Sequence, residues 1–256
     1  MRLFLTSRYL SAAGVAHGFS LRTGGVSSGP YASLNLGGGV GDAEDAVRKN
    51  HGLLGEAAGI AGDFATAQQV HGDRVVDAHG RELLPPTAPQ ELQGADAVLG
   101  LDGETVGVRV ADCVPILLFD EESGAAAAVH SGWRGTRLAI AARGVRALQH
   151  AAGVDPKGLI AAIGPCIGRC CYEVSTELAA IFRGLYGPEA ADDPAKNPGP
   201  HLDLRFCVES ALRGAGIPAE RIEQVEGCTS CDAELFFSHR REKGRTGRHL
   251  AFIQGR

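Results

Sequence analysis

Four short apolar runs lie close together in the middle of this chain and limit the folds that it can adopt. The runs are residues 95–99, 105–110, 116–119 and 125–129. Each run has the length of a β-strand. The segment that follows, 134–152, has helical periodicity, with an apolar face from Leu138 to Leu148 and with Arg143 away from that face. Strands followed by an amphipathic helix predict a sheet that is covered by helices, which is an α/β architecture.

The rest of the chain alternates in the same way, and no linker divides it into two cores. Ser175 and Asp203 are typical helix-capping residues, and Gly187-Pro188 is a typical stop signal. We predict further helices at residues 43–59, 175–186 and 203–214, further strands at 68–78, 159–163, 222–225, 235–237 and 250–253, and loops at 18–41, 80–94 and 188–200. This pattern predicts one mixed α/β domain that spans residues 1–256.

The charge and hydropathy of the chain argue against several functional classes. The formal net charge is −5, which disfavours a broad basic surface for nucleic acid. No apolar run approaches the roughly 20 residues that cross a membrane, and the N-terminal run is too short for an export signal. We therefore expect a cytoplasmic protein, a monomer or a weak homodimer, with no nucleic-acid or membrane partner. Its seven cysteines are expected to be free thiols or metal ligands.

Three short segments each place a histidine or a cysteine at the end of an apolar run, beside a small or turn-forming residue. They contain His71, Cys113 and His130. A strand end lets a side chain enter a cleft while its backbone stays fixed. Two imidazoles and one thiolate suit Zn²⁺ and leave its fourth position open, as in catalytic zinc sites. The alternative is that the cysteine is a small buried hydrophobe and that each histidine is simply hydrogen-bonded.

Six sequence motifs occur in order and span nearly the whole chain. They are HGFSLRTGGVSSGPYASLNLG (17–37), QVHG (69–72), ADCVP (111–115), VHSGWRG (129–135), IGPCIGRCCYEV (163–174) and FFSHRREKGRTGR (236–248). Together they resemble the motifs of the YfiH-type family, which is also called the multicopper polyphenol oxidase or laccase-domain family. The resemblance implies a single-domain, four-layer α/β/β/α sandwich of mixed sheets, and zinc held by His71, Cys113 and His130.

The resemblance also implies an activity. Members of this family are described as purine nucleoside phosphorylases that act on adenosine, inosine, guanosine and methylthioadenosine, with additional deamination of adenosine. Purine nucleosides and phosphate are therefore the expected partners. Three residues depart from the family pattern, because Ser131 stands where alanine is usual, His239 where tyrosine is usual and His51 where arginine is usual. None of them is an expected ligand, although the change at His51 could alter how phosphate is held.

Arginines near glycine-rich turns are candidates for binding phosphate. Residues 131–135 form a turn before a predicted helix, so the first free N–H groups and Arg134 are able to receive an anion. Arg22, which is followed by Thr23-Gly24-Gly25, is expected to add a bidentate contact. Arg240, Arg241 and Arg248 form a further basic cluster, for which the alternative interpretation is a solvated surface.

Proton transfer needs a carboxylic acid as well as these cations and ligands. By their position at strand ends, Asp96 and Asp112 are the candidates, and Asp112 could instead orient a metal-binding histidine. The predicted catalytic residues are Cys113, His130, Arg22, Arg134 and Asp112.

Other functions remain open at this point. Cys113 as nucleophile and His130 as base would make a metal-free cysteine hydrolase, such as an amidase that acts on a peptidoglycan precursor. A non-enzymatic metal or redox protein is another alternative. A copper-dependent polyphenol oxidase would use the same three ligands, but a blue oxidase is disfavoured because the only methionine is Met1 and no His-x-His pair occurs.

The remaining cysteine motifs give a weaker signal. Cys228 and Cys231 have the spacing of metal ligands, but such a pair needs a second pair to complete a site. Cys170 and Cys171 are adjacent and are expected to point in different directions from an extended backbone. We therefore expect neither a second zinc site nor a labile disulfide among Cys166, Cys170, Cys171, Cys228 and Cys231.

Overall fold

The computed structural model describes residues 2–87 and 94–256 of the chain. In this part of the chain the strands are β1 Phe4–Leu5, β2 His17–Ser20, β3 Val75–Asp77, β4 Glu82–Leu84, β5 Ala97–Gly100, β6 Thr105–Val110, β7 Val114–Asp120, β8 Ala126–Ser131, β9 Leu159–Ile163, β10 Ile222–Gln224 and β11 His249–Gln254. The helices are α1 Arg8–Ala12, α2 Glu44–Ala58, α3 Trp133–Arg137, α4 Ile140–Ala152, α5 Thr176–Tyr186 and α6 Leu204–Gly214. Part of the loop predicted at 80–94, residues 88–93, lies outside the described residues.

The strands form two sheets. The larger sheet has the order β10-β9-β7-β8-β5-β3-β4 and is mixed, because β10 is parallel to β9 and β3 is parallel to β5. The smaller sheet has the order β1-β2-β11-β6, and its pairs are antiparallel. Strand β11 comes from the C-terminal end of the chain and lies between β2 and β6. It therefore connects the beginning, the middle and the end of the sequence.

The two faces of the larger sheet bury different side chains, as expected from the alternation of a strand. On β7, Ile116 and Leu118 pack against the layer of helices α4, α5 and α6, whereas Leu117 and Phe119 pack against the smaller sheet. All four side chains are fully buried. A strand that is covered on both faces reads as a continuous apolar run, which is why 116–119 has no polar residue.

A third core completes the layers on the far side of the smaller sheet. There Leu54 of α2 packs with Leu34, Leu36, Leu250 and Phe252. The order of layers is therefore helix, four-stranded sheet, seven-stranded sheet and helices. This confirms the prediction of a single-domain α/β/β/α sandwich, and it places the ends of several strands around the space between the two sheets.

Local signals were correct at helix ends but incorrect in several interiors. The predicted loops at 18–41 and 80–94 contain most of β2 and all of β4. Ser175 and Asp203 cap α5 and α6 as predicted, by accepting the N–H groups of Leu178 and Phe206. The helix predicted at 134–152 is instead two helices, because Ala139 adopts a left-handed φ of 56° between α3 and α4. The predicted strand at 68–78 is formed only at β3, and the predicted strand at 235–237 is not formed. The prediction for the exposed face of α4 was also wrong.

Arg143 was expected on the solvent side of helix α4, but it is buried. Its guanidinium donates to the carbonyl oxygens of Asp73 and Pro85 and lies 3.4 Å from the Asp73 carboxylate. Such a long side chain can occupy the core boundary when every donor finds an acceptor. No helix in the described part of the chain combines the length and the apolar character that crossing a membrane requires.

Candidate active site

The centre of the site is a histidine–carboxylate pair that the strand register creates. Strands β5 and β8 are antiparallel with Ala97 opposite Val129, so Asp96 lies opposite His130. Residues directly opposite each other share a face, and these two meet at the gap between the sheets. Nδ1 of His130 lies 2.7 Å from Oδ1 of Asp96, and both side chains are buried. Because a carboxylate accepts, Nδ1 of His130 carries the proton and its Nε2 is free to bind a metal ion.

The same carboxylate also shapes the loop that carries the second histidine. Asp96 accepts the backbone N–H groups of Val70, His71 and Gly72 at 3.2, 3.0 and 2.7 Å. These contacts hold His71 in a left-handed conformation with φ 60°. The sequence offered Asp96 only as a proton carrier. Its contacts instead make it the residue that orients both His71 and His130.

Cys113 completes a cluster of three possible metal ligands. It immediately precedes β7, where Pro115 is paired with His130. Its Sγ lies 3.9 Å from Nε2 of His71, and the ligand atoms of His71, Cys113 and His130 all lie within 4.8 Å of one another. His71 is exposed, Cys113 is half-buried and His130 is buried. The cluster therefore opens toward solvent on one side, as a site with a free coordination position requires.

The electrostatics of the cluster favour the metal-binding form of the cysteine. Burial raises the pKa of the Cys113 thiol. The charge of His130 and hydrogen bonds to both imidazoles have a larger, opposite effect and lower this pKa to about 6. Burial lowers the pKa of His130, and the Cys113 thiolate and the Asp96 carboxylate raise it overall. A thiolate is the form in which cysteine binds metal. The donor set, its spacing and the contact of His130 Nδ1 with Asp96 together fit a metal ion, which would take the place of the proton on Nε2.

A glycine leaves room for this arrangement. Gly132 is the N-cap of α3 and follows β8 directly. A Cβ atom at Gly132 would lie 3.0 Å from Sγ of Cys113 and 3.0 Å from Cδ2 of His71. Such contacts are tighter than normal, so both ligand side chains would have to shift slightly if this residue carried a side chain.

The three possible metal ligands form one wall of a cavity of about 630 Å³. This volume is typical of sites for small organic ligands. Tyr172 and Trp133 supply aromatic surface, and Gln69 and His239 supply polar groups. Trp133 both packs against the helical core and lines the cavity. His239 also lines it, whereas His51 contacts the Leu36 carbonyl and the Phe64 ring and is not among the lining residues.

Four arginines line the cavity, with a single carboxylate among the described lining residues. The arginines are Arg109, Arg134, Arg240 and Arg248, and the carboxylate is Asp112. None of the four forms a salt bridge with a carboxylate of the described residues. Burial lowers the pKa of Arg109 and of Arg248, which shows that their charges are partly desolvated. Desolvated cations without a counter-ion favour the binding of an anion.

The predicted site residues fall into two groups. Cys113, His130 and Arg134 line the cavity together with His71. Asp112 lines it too, but it accepts the Thr229 hydroxyl and the Arg240 N–H, both at 2.6 Å. Its carboxylate therefore positions a neighbouring loop and does not contact a histidine ligand. The orienting role that the sequence offered to Asp112 belongs to Asp96.

The expected phosphate contact at Arg22 requires a correction. Arg22 is not among the residues that line the cavity. Its guanidinium donates to Ala32 and Ala233 carbonyls and to the Glu242 carboxylate, and it stacks on the Phe237 ring at 4.6 Å. These contacts of Nε and Nη1 tie the loop 22–33 to the C-terminal segment. The Gly-Gly sequence that suggested an anion site serves the close packing of Gly25 against Asn50 and Ser33.

Sequence reasoning missed two residues of the cavity. Arg109 is charged within the otherwise apolar strand β6, and a lone charge in a buried strand was the available signal. Tyr172 follows the cysteine pair, and its ring lies under the guanidinium of Arg240 at 5.1 Å. Burial raises the pKa of Tyr172 to about 12, so its hydroxyl stays protonated as a hydrogen-bond donor.

The chain is similar to known proteins over most of its length. The sequence profile of the family described as multi-copper polyphenol oxidoreductase laccase matches residues 16–256. The chain is 38% identical over 255 residues to "Purine nucleoside phosphorylase YlmD" of Geobacillus stearothermophilus, covering 94% of this chain and 90% of the relative. It is 36% identical over 233 residues to "Adenosine deaminase RL5" of an unknown prokaryotic organism, covering 87% of each.

The fold agrees with that of solved structures at the same level of similarity. The crystal structure of YlmD from Geobacillus stearothermophilus superimposes with a TM-score of 0.85 at 33% identity, and the match covers 100% of both chains. Three findings agree. The family profile matches nearly the whole chain, the identity to YlmD of Geobacillus stearothermophilus is 38%, and the fold is shared. The chain belongs to the multi-copper polyphenol oxidoreductase laccase family, whose relatives of known name point to purine nucleoside metabolism.

Proposed function

We propose that this protein is a zinc-dependent purine nucleoside phosphorylase that also deaminates adenosine. One observation carries the proposal: a single cavity contains three possible metal ligands and four arginines that form no salt bridge with the carboxylates of residues 2–87 and 94–256. The names of the relatives supply the substrate class. We propose adenosine, inosine, guanosine and methylthioadenosine as substrates.

Phosphate is the anion that this proposal places beside the arginines. Arg109 and Arg248 are half-buried and would hold it from inside the cavity, and Arg134 and Arg240 would close over it from the rim. Two of the four already stack on aromatic rings, Arg134 on Trp133 and Arg240 on Tyr172, which fixes their planes before phosphate binds. Preorganised cations act most strongly in a partly desolvated site.

Phosphorolysis breaks the bond between the ribose and the purine nitrogen and forms a bond from ribose to a phosphate oxygen. Positive charge develops on the ribose while negative charge develops on the leaving purine. The phosphate held by the arginines would stabilise the first charge, and a hydrogen bond from the Tyr172 hydroxyl would stabilise the second. A zinc ion held by His71, Cys113 and His130 would supply additional positive charge at the same wall of the cavity.

The test is the phosphate requirement of the reaction. Protein of measured metal content is incubated with each nucleoside, with and without phosphate, and the products are separated by chromatography. We expect free purine and ribose 1-phosphate only when phosphate is present, whereas conversion of adenosine to inosine should need none. Release of purine at the same rate without phosphate would exclude phosphorolysis.

A matched pair of variants on one helix tests the arginine assignment. Arg134 lines the cavity, whereas Arg137 lies one turn further along α3 and is exposed outside it. Arg134→Gln should remove a charge-assisted contact worth about 1.5–3 kcal/mol, so the phosphate dependence should weaken roughly ten- to hundredfold. Arg137→Gln changes the net charge equally and should leave the kinetics unaltered. Equal effects of the two substitutions would contradict a specific phosphate contact.

A cysteine hydrolase is the second candidate, because Asp96, His130 and Cys113 form a carboxylate–imidazole–thiol array. In this function Cys113 would attack an acyl group and His130 would act as its base, with Asp96 fixing the tautomer. Turnover that survives metal chelation, with an acyl group trapped on Cys113, would support it. Loss of turnover on chelation, with recovery on adding zinc, favours the phosphorylase instead.

A further inference from the structure

Four cysteines outside the cavity converge on one point of the surface. Their Sγ atoms are separated by 3.7 Å between Cys170 and Cys228, by 3.6 Å between Cys170 and Cys231, and by 3.3 Å between Cys171 and Cys231. The four sulfur atoms all lie within 4.8 Å of one another, and all are free thiols. The cluster is distinct from the one at Cys113, and it is not used in the proposed reaction.

The expectation that adjacent cysteines diverge was wrong because the backbone here is a turn. The N–H groups of Cys171 and Tyr172 both donate to the Gly168 carbonyl, at 3.0 and 3.1 Å. This turn directs Cys170 and Cys171 toward the same side. Cys231 lies 60 positions after Cys171, so no local sequence signal could bring the two pairs of cysteines together.

The distances between the sulfur atoms match a tetrathiolate metal site. Zinc–sulfur bonds of about 2.3 Å in a tetrahedron place the sulfur atoms ~3.8 Å apart. A disulfide would require a distance of about 2.05 Å. The observed separations of 3.3–3.7 Å are thus close to the edges of a ZnS₄ tetrahedron.

The two ligand-bearing segments are fixed to each other by their own backbones. Cys166 and Cys228 form a parallel β-bridge, and the N–H of Thr229 donates to the Cys166 carbonyl at 3.0 Å. The N–H of Gly168 lies 3.2 Å from Sγ of Cys228 and donates to it. Hydrogen bonds from backbone N–H groups stabilise a thiolate, so this sulfur is prepared for a cation.

Positive side chains flank the same segment. Arg205 donates to the Gly227 carbonyl at 2.8 Å, and Arg241 donates to the Ser230 carbonyl at 3.2 Å. Arg205 is also paired with Glu226 and Arg241 with Glu242, at 3.4 and 3.1 Å. The two arginines therefore hold the backbone of the cysteine loop in place from both sides.

We propose that Cys170, Cys171, Cys228 and Cys231 bind a structural Zn²⁺ ion. The four thiols release their protons to solvent, and each sulfur donates an electron pair to the metal, so no oxidant or reductant is needed. Four protein ligands leave no open position, which gives the ion a structural role. It would fix Tyr172, which follows Cys171, and Thr229, which follows Cys228 and donates to Asp112.

The experiment removes the first metal site so that only the second is counted. Cys113→Ala protein, purified under reducing conditions, is expected to retain about one zinc per chain by elemental analysis. Adding Cys228→Ser and Cys231→Ser should abolish this zinc. Adding Ser230→Ala instead alters the same loop without removing a thiol and should leave the zinc in place.

A second measurement does not depend on the folding of the cysteine variants. Zinc in the Cys113→Ala protein is exchanged for cobalt, and the absorption spectrum is recorded. A tetrathiolate site should give intense thiolate-to-cobalt charge transfer together with the visible bands of tetrahedral cobalt. Three outcomes would each overturn the proposal. The Cys113→Ala protein could lack zinc while all six of its thiols are free, or its mass could be lowered by disulfide formation. Zinc could also be retained after Cys228 and Cys231 are replaced. None of these results bears on the phosphate requirement of the cavity.

Discussion

Asp96 is the single residue on which most of the active site depends. It accepts three backbone N–H groups from the loop of His71 and faces Nδ1 of His130. A carboxylate that orients a metal ligand typically contributes ten- to hundredfold to metal affinity. The structure gives this general effect a definite cause, because one side chain sets both the position of His71 and the tautomer of His130.

Asp96→Asn should therefore lower metal affinity roughly ten- to hundredfold. The amide can donate to Nδ1 of His130, which would move the proton to Nε2 and block metal binding. Affinity is measured by competition with a coloured chelator. Asp120→Asn is the matched control, since Asp120 is also buried on this sheet and accepts local donors from Ser123. An unchanged affinity in the Asp96 variant would refute its orienting role.

The junction between β8 and α3 illustrates how an element boundary determines a site. We expect Gly132→Ala to weaken metal binding at least about tenfold, because the new Cβ would press on Cys113 and His71 at 3.0 Å. Gly184→Ala is the control on α5, where no atom lies within 4 Å of the added methyl group. That substitution should raise the free energy of unfolding by about 0.5–1 kcal/mol. Normal metal content in the Gly132 variant would count against this explanation.

Strand β11 begins with a histidine that makes the fold sensitive to acid. Burial lowers the pKa of His249 to about 3, and its Nε2 accepts the Phe237 N–H at 2.8 Å. The unfolded chain binds a proton at this residue near pH 6.5, whereas the folded chain stays neutral. The stability it contributes is therefore full above the unfolded pKa and is lost as pH falls toward the folded pKa.

Between pH 6 and pH 4.5 this residue should remove about 2 kcal/mol of stability. His249→Gln keeps an acceptor for the Phe237 N–H but cannot be protonated in this range. Urea unfolding at several pH values should show a shallower pH dependence for the variant than for the wild-type protein. Burial also lowers the pKa of His17 and of His51. Both histidines are present in the wild-type protein and in the variant, so their effect on the pH dependence of stability is the same in each. Identical slopes would show that His249 is not the source.

Across the whole molecule, stability and ligand binding are divided between different regions. Strands β7 and β8 lie at the centre of the larger sheet and are buried along their full length. Residues 236–248 carry three cavity side chains and consist of turns. We expect hydrogen exchange to be slowest in β7 and β8 and faster in 236–248, with phosphate slowing exchange in the second region only. If phosphate does not change hydrogen exchange in 236–248, this segment does not contact the bound anion.

The sequence by itself determined whatever depends on neighbours along the chain. The apolar run of 116–119, the caps at Ser175 and Asp203, and the placement of Cys113 and His130 beside strand ends are local patterns. The family motifs added the layer order. Local patterns failed at Ala139 and Arg143, because a left-handed residue and a buried ion pair are stabilised by contacts from other segments.

Only the tertiary structure decided which distant residues share a site. It selected Asp96 over Asp112 as the partner of His130, because strand register determines which carboxylate faces the imidazole. It placed Arg22 outside the cavity and paired it with Glu242, whereas Arg134 lines the cavity as predicted. It also gathered four cysteines from two turns. Residue spacing carries no information about such contacts, because they depend on how layers pack.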